Sequence, residues 1–289
     1  MRLINSSFEV LPQAPGLEGM YKQVELAARN CYQSFDKITE NSHEKLLAHL
    51  GSNGHMSPFA HGTVYLKFPI NCGGMQYTRV KEYNANFWSK VVIENGETHG
   101  VPSDAGYYVT TNMRVIKENG WEDDLKFWCE PTEFHPKRIT VKVNCSIGIS
   151  RELNRHATVL AIAESSTRYC NYSKEKFGVE ITYVIPKWAE NLTPEYNDLE
   201  LSGLSHKELV FIDSLACSQR AYMQLIKEGA KPQDARDVLP LATATTVFYT
   251  AFESDWKEVF KKRTTPACHP DMIALMKPME EKFNELNLL

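Results

Sequence analysis

The chain has 289 residues, of which 43% are hydrophobic and 24% charged, a composition typical of a globular protein with a full core. Its formal net charge of −4 argues against a broad surface for DNA or RNA, so an anionic small molecule would need a local cluster of basic residues. The sequence contains no C-x-x-C pair, no metal-ligand spacing, no signal peptide and no apolar run of the ~20 residues that a membrane span needs. These features predict a cytoplasmic protein with reduced thiols, no metal, no nucleic-acid partner and no membrane contact.

Helical and strand patterns follow one another irregularly in the first half of the chain. Apolar residues recur with helical spacing over residues 17–33 and over residues 42–51. The alternating segment 62–68 is rich in β-branched and aromatic residues and predicts a strand. Less distinct patterns follow: residues 71–90 fit a helix, residues 96–106 a loop, and residues 107–118 either a helix or a strand.

The second half of the chain has clearer patterns. Residues 138–144 and 180–185 alternate and predict two strands. Residues 146–164 predict a helix that is deeply buried at its C-terminal end, where it becomes almost entirely apolar. Further helices are predicted at residues 204–228, 232–246, 254–262 and 270–287. Because strands and helices do not alternate regularly, the pattern favours an α+β fold in which a β-sheet packs against several long helices.

Arginines are the most suggestive candidate functional residues, since the sequence has no Gly-rich phosphate loop. Arg151 and Arg155 are four positions apart and would share one face of a helix. Arg168, Arg236 and Arg263 follow in three later segments. Guanidinium groups bind phosphate and carbonyl oxygens through two parallel hydrogen bonds, which lysine cannot do. The alternative for each arginine is an ordinary surface ion pair.

The segment from Arg155 to Tyr169 resembles the signature of the flavin-dependent thymidylate synthases, which begins Arg-His-Arg and continues through Glu, Ser and Arg-Tyr. Three other segments match this family in the same order, namely AARNCY at 27–32, GHMSPFAH at 54–61 and ARDVLPL at 235–241. The resemblance covers a single domain over residues 1–289, apart from a predicted insertion at about residues 69–137. The signature residues present here are Arg155, His156, Glu164, Ser166, Arg168 and Tyr169.

The resemblance implies a reaction and the residues that perform it. It implies methylation of dUMP to dTMP, with methylenetetrahydrofolate as carbon donor, NADPH as reductant and FAD as cofactor, in a homotetramer with shared active sites. Arg263 is the implied catalytic residue, because a cation beside the uracil ring would stabilise negative charge that develops there. The implied dUMP-binding residues are Glu152, Arg155, Glu164, Ser166 (hydroxyl and backbone N–H), Thr167, Arg168, Arg236 from another subunit, Arg263 and His269. The implied FAD-binding residues are His55, Ser57, Arg155, His156 and Glu164.

Four features depart from the family pattern. Ala157 replaces the third signature residue, which is usually arginine, and one extra residue lies between His156 and Glu164. Inside a helix, that residue would rotate everything after it by ~100°, which predicts a helical bulge or differently set halves of the site. Glu152 and Ala60 stand where a neutral amide and a glutamate are common. These departures leave two alternatives, a uridylate C5-hydroxymethylase and a non-catalytic nucleotide or flavin binder.

Cys268 is the other residue that the sequence raises as a catalytic group. Folate-only thymidylate synthases use a cysteine nucleophile, but the only nearby base for Cys268 is the adjacent His269. The resemblance implies a reaction without an enzyme nucleophile, so Cys268 is not predicted to be catalytic.

Overall fold

The computed structural model describes residues 1–70, 74–94, 105–195 and 203–289, which form α-helices and three β-sheets. The helices in this part are α1 (Gly16–Tyr32), α2 (Ser42–Ser52), α3 (Met75–Ala85), α4 (Met113–Asn119), α5 (Ile147–Leu153), α6 (His206–Lys227), α7 (Pro232–Ala235), α8 (Glu253–Arg263) and α9 (Pro270–Glu285). The strands are β1 (Arg2–Ile4), β2 (Ser7–Leu11), β3 (Thr63–Phe68), β4 (Lys90–Glu94), β5 (Gly106–Asn112), β6 (Arg138–Ser146), β7 (Ala161–Glu164), β8 (Thr182–Val184) and β9 (Ala244–Phe252). None of these helices combines the length and apolar character of a membrane span.

The largest sheet is antiparallel and has the strand order β2-β6-β9-β7. β6 and β9 pair over nine residues each, from Arg138 opposite Phe252 to Ser146 opposite Ala244. The opposite edge of β9 pairs with β7. One face of this sheet packs against α8 and α9, where Trp256, Phe260 and Phe283 are almost completely buried. The α+β prediction is confirmed, with the strands distributed over three sheets.

The predicted helix at residues 146–164 is wrong beyond residue 156. The chain is helical in α5, makes one 3-10 turn at Asn154–His156, and then becomes β7. The apolar run that suggested a buried helix passes through a turn and ends as a short strand at the edge of the large sheet, with Ala163 paired to Phe248. Periodicity alone does not separate a short, buried apolar strand from a buried helix, so tertiary pairing decided between them.

The predicted helix at residues 232–246 is wrong in the same way. The helix α7 and a 3-10 turn at Arg236–Val238 end before Pro240, and the chain enters β9 at Ala244. No element was predicted at residues 247–252, which also belong to this strand. The strand is rich in Thr, Val, Phe and Tyr. Those residue types favour a strand, and β9 lies between two partners at the centre of the sheet.

The remaining predicted elements are confirmed with small shifts of their ends. The helices predicted at 17–33, 42–51, 204–228, 254–262 and 270–287 correspond to α1, α2, α6, α8 and α9, and the strands predicted at 62–68, 138–144 and 180–185 to β3, β6 and β8. Ser205 and Glu208 form a reciprocal capping box at the start of α6, which explains the sharp boundary of that helix.

The predicted insertion supplies most of a second antiparallel sheet with the order β3-β5-β4. The segment that fitted either a helix or a strand contains both, first β5 and then α4. Val80, Val109 and Ile116 from this segment share a core with Met20 and Val24 of α1. The inserted residues therefore pack into the core of the domain. Parts of the predicted helix (71–73) and loop (96–104) lie outside the described residues.

A buried polar group joins the loop before β3 to the large sheet. Nη2 of Arg138 donates to the carbonyl oxygen of Ala60 at 3.0 Å, and Nδ1 of His61 lies 2.8 Å from Oγ1 of Thr250. His61 has no exposed surface. Burial, with a further contribution from the Arg138 guanidinium, lowers the pKa of His61 to about 3. The histidine is therefore neutral at physiological pH, beside a cation that remains charged.

We expect the neutral state of His61 to make the fold sensitive to acid. Below pH ~6.5 the unfolded chain binds a proton at this histidine while the folded chain does not, so stability falls as the pH decreases toward 3. The loss at pH 5 relative to neutral pH should be about 2 kcal/mol from this residue. Denaturant unfolding of wild type and His61→Asn at both pH values measures it. The exposed His206→Asn serves as the control, and an acid sensitivity that His61→Asn leaves intact contradicts the prediction.

Candidate functional site

The carboxylate of Glu164 connects the two halves of the signature segment. Its Oε1 accepts hydrogen bonds from the hydroxyls of Ser150 at 2.7 Å and Thr245 at 3.0 Å. Its Oε2 accepts from Nδ2 of Asn154 at 3.0 Å, whose Oδ1 accepts from the Tyr249 hydroxyl at 2.8 Å. The side chain thus ties β7 to α5, the following 3-10 turn and β9. Both carboxylate oxygens are engaged within the protein, which indicates a positioning role for Glu164.

The end of α1, which carries the sequence AARNCY, fixes the signature segment from the other side. The fully buried Asn30 donates from Nδ2 to the carbonyl oxygens of Ala163 and Thr246, both at 2.8 Å. The backbone N–H of Ser166 donates to the carbonyl oxygen of Cys31 at 3.0 Å. That N–H was expected to bind phosphate, and this expectation is wrong for the structure described here because the group is already engaged. The Ser166 hydroxyl remains the phosphate-binding candidate at this residue.

An open pocket brings together four of the residues predicted to bind dUMP. Its walls come from α5, the 3-10 turn after it, the end of α8 and the start of α9. Three guanidinium groups and one carboxylate line this pocket, so its local charge is positive although the whole chain is negative. Such a local excess of cations suits an anionic ligand. The lining residues are Arg151, Glu152, Arg155, Arg263, Ala267, Cys268 and His269.

Arg263 is held in this cationic pocket by two neighbours. Its Nε donates to Nε2 of His156 at 2.8 Å, and its Nη2 donates to the carbonyl oxygen of Glu152 at 2.5 Å. Nη1 lies 3.5 Å from the Glu152 carboxylate. Burial, and then the charges of Arg263 and Lys262, lower the pKa of His156. The neutral imidazole can therefore accept the hydrogen bond from Arg263, and it orients that side chain.

The other predicted dUMP-binding residues form a second cluster at the surface. Nη1 of Arg236 donates to Oγ1 of Thr167 at 3.5 Å, and Nε of Arg168 donates to Oε1 of Gln233 at 3.4 Å. Arg168 and Arg236 are exposed. Thr167 and Arg236 therefore meet within one chain, although Arg236 was expected to reach the nucleotide from another subunit. Two guanidiniums beside hydroxyl groups have the chemistry of a phosphate site.

The predicted flavin loop and the signature turn share a smaller pocket. Ser57 and Ala157 both line it, whereas His55 is exposed in the loop and is not part of its walls. The floor is apolar and includes Leu160 and Ile162, while Trp88 and other residues of the insertion complete the walls. Apolar side chains and an indole suit one face of an aromatic ring. These lining residues therefore fit part of a flavin. Of two further predicted flavin contacts, Arg155 lines the cationic pocket instead, and His156 accepts a hydrogen bond from Arg263 of that pocket.

The extra residue between His156 and Glu164 does not lie in a helix and therefore rotates no helical residues. The helix and its 3-10 turn end at His156, and the chain then passes through a turn into β7. A residue added to a turn lengthens the turn and does not change which way the side chains of neighbouring helices point. The predicted helical bulge is therefore wrong, because the segment that was expected to hold it is not helical.

Cys268 and His269 are engaged in local contacts at the start of α9. Nδ1 of His269 accepts from the backbone N–H of Asp271 at 3.2 Å and caps the helix. The Sγ of Cys268 donates to the carbonyl oxygen of Lys262 at 3.2 Å. The imidazole nitrogen Nδ1 is thus occupied as a helix cap.

Sequence reasoning missed the residues that hold the signature in place. Asn154 directly precedes Arg155, and Thr245 lies in the β-branched run of β9, but neither has a pattern that reveals its hydrogen bonds. Trp88 and Arg114 were missed because they lie in the insertion, to which no function was given. The position of Asn30 within AARNCY could be read from the sequence, but its hydrogen bond to β7 could not.

Comparison with known proteins identifies one matching family and a set of similar solved structures. The sequence model described as thymidylate synthase complementing protein matches residues 131–286, more than half of the 289 residues. No curated protein matches the chain. The crystal structure of a UMP/dUMP methylase PolB from Streptomyces cacaoi bound with 5-Br dUMP is similar over 99% of this chain and 93% of that chain, with 16% identity and a TM-score of 0.43.

We expect Asn30→Asp to destabilise the protein and loosen the signature segment. The substitution keeps the size of the side chain but replaces the amide donor with an oxygen that faces two carbonyl oxygens. The cost of leaving these buried groups unsatisfied should be about 2–4 kcal/mol in the free energy of unfolding. Denaturant titration measures this cost. The control is Asn284→Asp, which loses one hydrogen bond at an exposed position, and an equal effect of both variants contradicts the prediction.

Proposed function

The chain belongs to the thymidylate synthase complementing protein family, and from that premise we propose that it methylates dUMP to dTMP. The observation that carries the proposal is the cationic pocket, in which Arg155, Arg263 and His269 surround one space. Methylenetetrahydrofolate is the proposed carbon donor and NADPH the proposed reductant. FAD, when bound, would supply the hydride that completes the methyl group.

The two clusters of arginines have complementary tasks in this proposal. Arg168 and Arg236, with the hydroxyls of Ser166 and Thr167, would bind the phosphate of the nucleotide through charge-assisted hydrogen bonds. The cationic pocket would take the uracil ring. Glu164 would act on both, since it holds the strand that leads to Ser166 and the turn that carries Arg155.

Arg263 is the proposed catalytic residue. Its guanidinium would stabilise negative charge on the uracil ring as the ring reacts at C5. His156 and the backbone carbonyl of Glu152 orient the guanidinium before the substrate arrives, which reduces the reorganisation needed during the reaction. The Glu152 carboxylate balances part of the positive charge in the pocket.

FAD is the proposed cofactor, with Ser57 and the turn at Ala157 against part of it. His55 would contact FAD from the exposed loop, and Arg155 would contact it from the cationic pocket. Because Arg236 donates to Thr167 within one chain, we assign the proposed phosphate-binding cluster to a single protomer. In the proposed homotetramer, a second subunit would instead bring its own cationic pocket to that cluster.

We expect Arg263→Ala to abolish most product formation. Loss of one charge-stabilising donor should lower kcat by about 10²–10³-fold. Conversion of dUMP, followed by mass analysis of the product, measures the rate and also distinguishes dTMP from a hydroxymethylated product. The exposed Lys261, two residues before Arg263, provides the matched control, and Lys261→Ala should retain activity. Wild-type turnover by a folded Arg263→Ala protein would exclude the catalytic role, and an inactive wild type that still binds dUMP or FAD would favour the non-catalytic binder.

Replacement of Cys268 should leave the reaction largely intact. The thiol donates to a backbone carbonyl, and the neighbouring imidazole caps a helix through Nδ1, so the pair is not arranged as a nucleophile and its base. Cys268→Ala should retain kcat within about twofold, since the variant removes only the thiol's contacts with the Lys262 carbonyl and the Thr265 hydroxyl at the rim of the pocket. Complete loss of activity in a stable Cys268→Ala protein would reinstate the cysteine as a nucleophile.

A further inference from the structure

The smaller pocket lies between the signature turn and the inserted segment. The turn lines it with Ala157, whose side chain is exposed, and the inserted segment lines it with Arg114 and Trp88. The volume is about 220 Å³. This is smaller than the ~300–1,000 Å³ of pockets that enclose a whole drug-sized ligand. The pocket therefore suits one part of a larger ligand.

Arg114 is the only cationic residue among those that line this pocket in the described part of the chain. Its Nε donates to Oε1 of Glu118, one turn further along α4, at 2.8 Å. About half of each side chain is exposed, at 44% and 42%. Among the described residues, no hydrogen bond engages the terminal Nη1 and Nη2 groups of Arg114. The ion pair therefore orients the guanidinium while its outer edge remains available to an anion.

The rest of the pocket favours an aromatic ring next to that anion. Leu160, Ala161 and Ile162 provide an apolar floor, and Trp88 provides an indole wall. Flat aromatic rings pack well against such side chains. A guanidinium beside this surface matches a phosphate group through two hydrogen bonds. A flavin nucleotide presents both kinds of group, namely flat aromatic rings and phosphates that are joined to them through a ribityl chain or a ribose.

We propose that the inserted segment completes the flavin-nucleotide site, and that Arg114 binds a phosphate of the flavin nucleotide in place of the signature arginine absent at Ala157. This inference rests on the function proposed above, since it assigns the cofactor of that reaction to this pocket. It gives the insertion a binding role in addition to its share of the core. The Glu118 carboxylate repels the phosphate but also orients the Arg114 guanidinium, so its two effects on phosphate binding have opposite signs.

Titration of the intact protein with FAD, followed by flavin fluorescence, tests the assignment without any measurement of activity. Arg114→Ala should raise the Kd for FAD roughly tenfold, the size expected for one charge-assisted contact at a partly exposed site. Arg114→Lys, which keeps the charge but loses the two-point contact, should fall in between and also serves if the alanine variant is unstable. The matched control is Arg220→Ala, an exposed arginine on α6, which should bind FAD like the wild type.

Two further variants and a second ligand make the test specific for charge. Glu118→Gln should tighten FAD binding about two- to threefold at low salt, because it removes a negative charge near the phosphate. Introducing Ala157→Arg into Arg114→Ala should restore much of the affinity for FAD, because the new guanidinium lines the same pocket from the signature turn. The effect of Arg114→Ala should disappear with riboflavin, which has no phosphate.

The outcomes separate this inference from the proposed function. Tight FAD binding by the wild type together with an unchanged Kd in folded Arg114→Ala or Arg114→Lys overturns the role of Arg114 and leaves the proposed function standing. An equal loss of FAD and riboflavin binding also overturns it, because the effect would then not involve phosphate. A wild type that binds no flavin removes both the cofactor assignment and the inference.

Discussion

The hydrogen bonds of the Glu164 carboxylate are the constraint on which the candidate site depends. A partly buried carboxylate needs donors for its oxygens, and here the donors come from α5, the 3-10 turn and β9. Asn30 adds a second attachment, from α1 to the backbone of β7 and β9. These polar contacts set where Arg155 and Ser166 lie relative to each other. The local backbone of a four-residue strand would not set this arrangement alone.

Local charge in this protein differs in sign from the charge of the whole chain. The net charge is −4, yet Arg151, Arg155 and Arg263 line one pocket, with Glu152 as the carboxylate among them. Salt screens electrostatic attraction beyond about 8 Å at physiological ionic strength, so the local cluster decides which ligand binds there. The neutral state of His156 belongs to the same arrangement, because a protonated imidazole could not accept the hydrogen bond from Arg263.

The segment predicted as an insertion contributes β4 and β5 to the second sheet and, among its described residues, no strand to the large sheet. Its strand β5 pairs along the whole length of β3, and its side chains join the core beneath α1. It therefore reaches the smaller pocket as part of a rigid layer, and can present Arg114 and Trp88 at fixed positions. Groups on packed elements lose less freedom on binding than groups on loose segments, which favours a binding role at such a position.

The sequence alone determined the amphipathic helices α1, α2, α6, α8 and α9, the strands with clear alternation, and the family, because these depend on local periodicity and on motif residues. Tertiary structure decided the conformation of the segments around β7 and β9. A short apolar run, or a β-branched run after a helix, becomes a strand only where a neighbouring strand pairs with it. It also decided which arginines share a pocket. Arg155 and Arg263 are far apart in the chain and line one pocket only because the C-terminal ends of α5 and α8 meet, where Arg263 donates to the carbonyl oxygen of Glu152. Arg114 reaches the turn at Ala157 only through the pairing of β5 with β3.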